Sequence, residues 1–204
     1  MIKSSITKRK FKAIYRLLNR VSPQDYDCGT LCGAACCTAE KDDAIAIGSS
    51  HGGEQSKELE MGIYLLPGED KIHDKHDTWL RWSAEDAEDY EFPESWRGKM
   101  FFVQCDGPNK CKRELRPMQC RTFPLAPHID DAGELSLVYN DMELPYNCPL
   151  IYDEIPLNDS FVRATFTVWQ HLIKDPLIYD LVRMDSEKRE DVARELMDKL
   201  GGGI

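Results

Sequence analysis

The sequence lacks any apolar run approaching the roughly 20 residues that a membrane-spanning helix requires. Its opening stretch, MIKSSITKRKFKAIYRLLNR, has neither the apolar centre nor the small-residue cleavage site of a secretory leader. Together these absences predict a soluble chain and, by default, a cytoplasmic location. Neither standard glycine-rich phosphate loop is present, nor a G-x-S-x-G elbow, nor an H-E-x-x-H helix. Nothing therefore identifies a hydrolase or a nucleotide-dependent enzyme. Internal repeats and low-complexity tracts are also missing, so 204 residues fit one ordinary domain with room for a real core.

Acid is absent from the first twenty residues. They hold Lys3, Lys8, Arg9, Lys10, Lys12, Arg16 and Arg20, and against a formal total of −10 this leaves −17 on the remainder. Phe11, Ile14, Tyr15 and Leu18 recur at helical spacing, which predicts a basic amphipathic helix over residues 1–27. It is expected to pack through Phe11, Ile14 and Leu18, its charge attracted to the acidic body. Contact of residues 1–20 with an anionic membrane is the lesser alternative. A body this acidic repels phosphate backbones, so no nucleic-acid partner is expected.

Along the chain, GIYLLPGED predicts a short buried strand closed by a Pro-Gly turn, and KMFFVQC a strand delivering Cys105. DTWLRWSAEDAEDY predicts a short helix. RPMQCRTFPLAPH, with three prolines in eleven positions, predicts an extended irregular loop. HIDDAGELSLVYN predicts a hairpin turning at residues 131–133, with Leu135, Leu137 and Tyr139 alternating. From Asp159 the pattern is helical: Ser160 is a candidate cap for one helix, Pro176 starts a second, and Ser186 is a candidate cap for a third. The expected fold class is α+β, a single domain. Residues 28–150 form a loop-rich cysteine region with short strands, and helices flank it at 1–27 and 151–204.

What the sequence has in excess is cysteine: Cys28, Cys32, Cys36, Cys37, Cys105, Cys111, Cys120 and Cys148. An even count is compatible with four disulfides, but a reducing cytosol keeps most thiols reduced, and clustered cytosolic cysteines more often bind metal or do redox chemistry. On one straight helix, residues 28, 32 and 36 would share a face, with ends about 12 Å apart. Sulfurs on one zinc ion, each at about 2.3 Å, lie far closer together than that. Gly29 and Gly33 permit a tighter, non-helical path. Adjacent side chains rarely aim at one centre, so one of Cys36 and Cys37 is expected to serve a second metal or the core. From residue 110 to 121, Lys110, Lys112, Arg113, Arg116 and Arg121 stand against Glu114 alone, and cations of this kind stabilise thiolates. Eight thiols fit two four-cysteine sites, or one cluster with spare or substrate-facing thiols. Because ten residues cannot complete two sites alone, Cys28, Cys32 and Cys36 are expected near a cysteine from residues 105–148.

Three blocks, CGTLCGAACC, CDGPNKC and RPMQCRTFPLAP, with NCP trailing, carry a resemblance over roughly residues 28 to 150. The chain resembles the CxxCxxCC cysteine-cluster family of zinc- or iron-chelating proteins, itself similar to flagellin lysine N-methylases. Three residues rather than two separate the early cysteines. The resemblance implies that Cys28, Cys32, Cys36, Cys37, Cys105, Cys111 and Cys120 are metal ligands joined by Cys148, with zinc or iron, including an iron–sulfur cluster, as cofactor. Two functions follow as expectations: a metal-binding module, with a protein partner as one possibility, or an iron–sulfur metalloenzyme of methyl-transfer or redox type. Of the remaining candidates, His73 and His76 read as a solvated pair, His128 as a hairpin residue able to approach a metal, and His171 as an ordinary helix residue. Glu58 and Glu60 read as solvated charges.

Overall fold

The computed structural model describes residues 1–38, 62–140, 144 and 146–201. The stretch AIGSSHGGEQSKELE, with Glu58 and Glu60, lies outside the described residues. The chain begins with helix α1 (Lys8–Leu18), capped by Thr7, whose hydroxyl accepts the Lys10 N–H. Two single-turn helices follow, α2 (Gly29–Cys32) and α3 (Ala35–Thr38). Strands β1 (Ile63–Tyr64), β2 (Leu80–Asp86) and β3 (Lys99–Cys105) form an antiparallel sheet in the order β1-β3-β2. After short helix α4 (Met118–Thr122), β4 (Leu125–Ile129) and β5 (Leu135–Tyr139) make a hairpin. Helices α5 (Pro149–Tyr152), α6 (Asp159–Leu172) and α7 (Pro176–Gly201) complete an α+β fold with helices towards both ends.

The main core lies where α1, α6 and α7 meet the hairpin and the loops around the sheet. Phe11, Val168, Leu172, Ile178, Met118 and Ile129 are all completely buried there. Trp96 enters the same core, and its indole N–H is satisfied by the Leu177 carbonyl at 2.8 Å. A smaller cluster of Leu65, Trp79, Leu80 and Val103 forms beside the sheet, and Cys105 and Cys111 pack against it. The second cysteine group thus starts from a rigid strand.

Four local expectations need correction. DTWLRWSAEDAEDY is not helical: Leu80–Asp86 pairs along its whole length with β3, Leu80 opposite Cys105 and Asp86 opposite Lys99. Seven paired residues outweigh the helical preference of its Ala, Glu and Asp content. RPMQCRTFPLAPH is not irregular: two of its prolines flank α4, and Pro127 lies within β4, opposite Leu137 of the two-stranded hairpin. Pro117 precedes α4, where a missing N–H costs little, and Pro124 follows it before β4. Ser186 caps nothing: α7 is continuous from 176 to 201, and the buried Ser186 hydroxyl donates to the Val182 carbonyl and accepts the Ile129 N–H. Ser160 lies inside the first turn of α6. Asn158 holds the cap position, and its amide instead donates to the Ser22 carbonyl and Asp25. In the hairpin, Leu135 and Leu137 are half-buried as the alternation requires, whereas Tyr139 is exposed.

Candidate metal centre

The early cysteines avoid the straight-helix geometry that would hold them apart. Cys28 stands at the start of α2 and Cys32 ends it. Gly33 and Ala34 then both adopt left-handed backbone, with φ of 62° and 59°. Only glycine takes that conformation cheaply, and the break starts a separate turn carrying Cys36 and Cys37. Their sulfurs lie 3.9 Å apart. These neighbouring thiols face each other on one turn, Cys36 exposed and Cys37 half-buried.

A carboxylate and a guanidinium join this segment to the second one. Arg113 donates two hydrogen bonds to Asp27, at 2.6 and 2.9 Å, and Asp27 also accepts the Gly29 N–H at 3.1 Å. Asp27 is therefore held below the ordinary carboxylate range, chiefly by the Arg113 hydrogen bond. On the second segment, Cys105 ends β3, and Arg116 donates through Nε to the Cys111 sulfur at 3.1 Å. Cys120 sits on α4, and Cys148 is buried just before α5.

The two cysteine groups, distant in sequence, are electrostatic neighbours. Cys148 acts on Cys28 and Cys32 acts on Cys148, Cys36 feels Cys120, and Cys37 feels Cys111 and lies in the field acting on Cys105 and Cys120. All eight thiols are free of disulfides. In two thiol pairs the hydrogen bond between the sulfurs pushes the two titrations apart. In one, the Cys105 hydrogen bond lowers Cys111 to about 6, helped by Arg116 against the cost of burial, while Cys105 rises. In the other, the Cys36 hydrogen bond lowers Cys37 to about 7, again with Arg116 assisting, and Cys36 rises. Cys120 keeps access to water, yet it is crowded enough that burial pushes its thiol up to about 12. Among the described residues no three His, Cys, Asp or Glu side chains enclose one ion-sized space. The donor set nonetheless suits a soft metal: thiols from two segments, with a guanidinium already stabilising negative charge on one sulfur.

The histidines divide. His76 is exposed, but His73 is not the solvated partner expected: it lies edge-on to Trp82, with Nε2 3.4 Å from the Tyr15 hydroxyl. Burial, reinforced by the Arg121 charge, lowers it to about 4. Its ring is covered by Tyr15 of α1 and Trp82 of β2, which take it out of water. His128 turns towards Glu190, 3.3 Å away, and His171 is exposed on α6. Several residues bordering the thiols carried no sequence signal. Asp27 reads as a surface charge, and Tyr146 reads as a lone aromatic although its neighbours include Cys36, Cys148, Cys120 and Cys37. Glu69 reads as part of a turn, yet it is completely buried.

No family model, curated protein or solved structure matches the chain.

Proposed function

We propose that this chain is a cytoplasmic metal-binding protein of the cysteine-cluster type, holding zinc or an iron–sulfur centre through Cys28, Cys32, Cys36, Cys37, Cys105, Cys111, Cys120 and Cys148. The observation that supports it best is the facing of two thiol groups from separate segments, clamped by Asp27–Arg113 and with Arg116 on a sulfur. A disulfide framework has no need of that cation, whereas thiolate ligands do, because each deprotonated sulfur adds a negative charge. When bound, the metal would supply a crosslink between loops that have little core of their own. No helix among the described residues is long and apolar enough to cross a membrane, which fits this reading.

The test is metal analysis of chain purified anaerobically, alongside a Cys120→Ser variant. A brown sample absorbing in the near ultraviolet and visible indicates iron–sulfur, and a colourless one with bound zinc indicates a zinc site. Cys120→Ser should lose metal and speed amide exchange across residues 105–148 while α6 and α7 stay protected. Metal-free wild-type protein, unable to take up either metal after reduction, would overturn the proposal.

A further inference from the structure

Glu69 is 1% exposed, and among the described residues its carboxylate is held by hydrogen-bond donors rather than by a close ion pair. Burying a carboxylate costs several kcal/mol unless its lone pairs are satisfied, so its partners describe what it is for. They come from three separate places. The Tyr15 hydroxyl of α1 donates to Oε1 at 2.5 Å, the Met118 N–H donates to the same oxygen at 2.6 Å, and the Leu66 N–H donates to Oε2 at 2.9 Å. The tight turn before it uses Gly68, whose φ of +86° a larger residue would reach only under strain.

Met118 is the first residue of α4, and its N–H is one of the donors a helix start leaves unpaired. The residue before it is Pro117, which offers no capping side chain. A helix of five residues has no stability of its own, so outside contacts must hold it. Glu69 supplies one of them. Arg121 supplies more, donating to the Tyr15 carbonyl at 3.1 Å, to Asn19, and to the Arg113 carbonyl at 2.8 Å, with its guanidinium over the Tyr15 ring. Between these two anchored residues stands Cys120. The N-terminal helix is thus the frame against which this thiol is placed.

From this geometry we infer that Glu69, through the Met118 N–H and the Tyr15 hydroxyl, is a positioning residue that sets where Cys120 meets the other thiols. The inference rests on the metal-centre reading above. A plain stabilising role for a buried acid is the competing explanation, and the molecule contains a matched control. Asp175 is equally buried and accepts from Ser4 Oγ, Ser5 N, Ser5 Oγ and Leu177 N, but it ties the N-terminal strap to α7, and the groups that act on it most strongly among the described residues are Ser4, Ser5 and Leu177.

The experiment uses the full chain, reduced and anaerobic, as Glu69→Gln, Tyr15→Phe and Asp175→Asn. Cobalt(II) is titrated against a chelator while the thiolate-to-cobalt absorption is recorded. In Glu69→Gln the new amide nitrogen confronts a backbone N–H, so cobalt affinity should fall by about 10–100-fold, the range for lost support behind metal ligands, and the absorption envelope should change. Tyr15→Phe keeps the carboxylate and both backbone donors and should shift the spectrum in the same direction, less strongly. If Glu69→Gln does not fold, this variant carries the test. Asp175→Asn should lower the melting temperature and leave affinity and spectrum as in wild type. A folded Glu69→Gln with wild-type affinity and spectrum overturns the inference, and so does an Asp175→Asn that disturbs both equally. Amide exchange at residues 118–122 of metal-free protein separates the two levels. It should quicken in Glu69→Gln even if wild type binds no cobalt, an outcome that would sink the metal reading alone. Unchanged protection there would sink the role of Glu69.

Discussion

Removing the Phe11 ring tests what attaches α1 to the body. Charge and apolar burial are both available: the segment is strongly basic and the remainder strongly acidic. The structure separates them. Phe11 is 0% exposed, with Ile14, Tyr15 and Leu18 buried on the same face, whereas Lys8, Arg9, Lys12 and Arg16 point to solvent. Among the described residues none of these four cations lies in an ion pair. The contact that the structure shows for this helix is its apolar face. Phe11→Ala should cost about 3–5 kcal/mol, against a total stability of about 5–15 kcal/mol for a domain. At about 2–4 °C per kcal/mol in a chain of this size, the melting temperature should fall by about 6–20 °C. Changing any one of the four exposed cations to Gln should move stability by no more than about 0.5 kcal/mol. Calorimetry and circular dichroism on both sets, at low and high salt, decide the matter. If neutralising the cations lowers the melting temperature as far as Phe11→Ala, and salt reproduces the loss, the helix is held electrostatically and the packing argument fails.

Two further predictions concern the surroundings of the thiols. Asp27→Ala breaks a bidentate but half-exposed pair, so global stability should change by less than about 1 kcal/mol, while amide exchange across residues 28–37 quickens; unchanged exchange there would show that Arg113 does not clamp the first cysteine segment. His73 has its pKa lowered from the ordinary 6.5 to about 4 by burial and the nearby Arg121, so the unfolded chain takes up a proton first. Its contribution to stability is complete above pH 6.5 and is lost as pH falls towards about 4. Burial raises Glu69 instead, which works in the opposite sense. Urea denaturation across this range should show a slope that flattens in His73→Gln, and an identical slope in that variant would remove His73 as its source.

Periodicity and spacing were enough for the elements whose signal is local. The apolar repeat of α1, the strand ending at Cys105, the Gly133 hairpin and the helix starts near Asp159 and Pro176 follow from side chains a few residues apart, whereas the unbroken run of α7 through Ser186 does not. The concentration of eight cysteines, and the cations around the second group, are likewise plain in one dimension. Tertiary structure decided the rest, because it depends on partners far away in the chain. Leu80–Asp86 became a strand only because β3 lies beside it, and α4 exists because Glu69 and Tyr15 hold its two ends. The left-handed step at Gly33 and Ala34 set Cys36 and Cys37 on a turn separate from α2, a backbone choice that residue spacing does not encode. Glu69 and Asp27 look like ordinary solvated acids in sequence. One is buried and one is clamped, because the desolvation cost of a carboxylate is offset only by donors that folding brings from elsewhere.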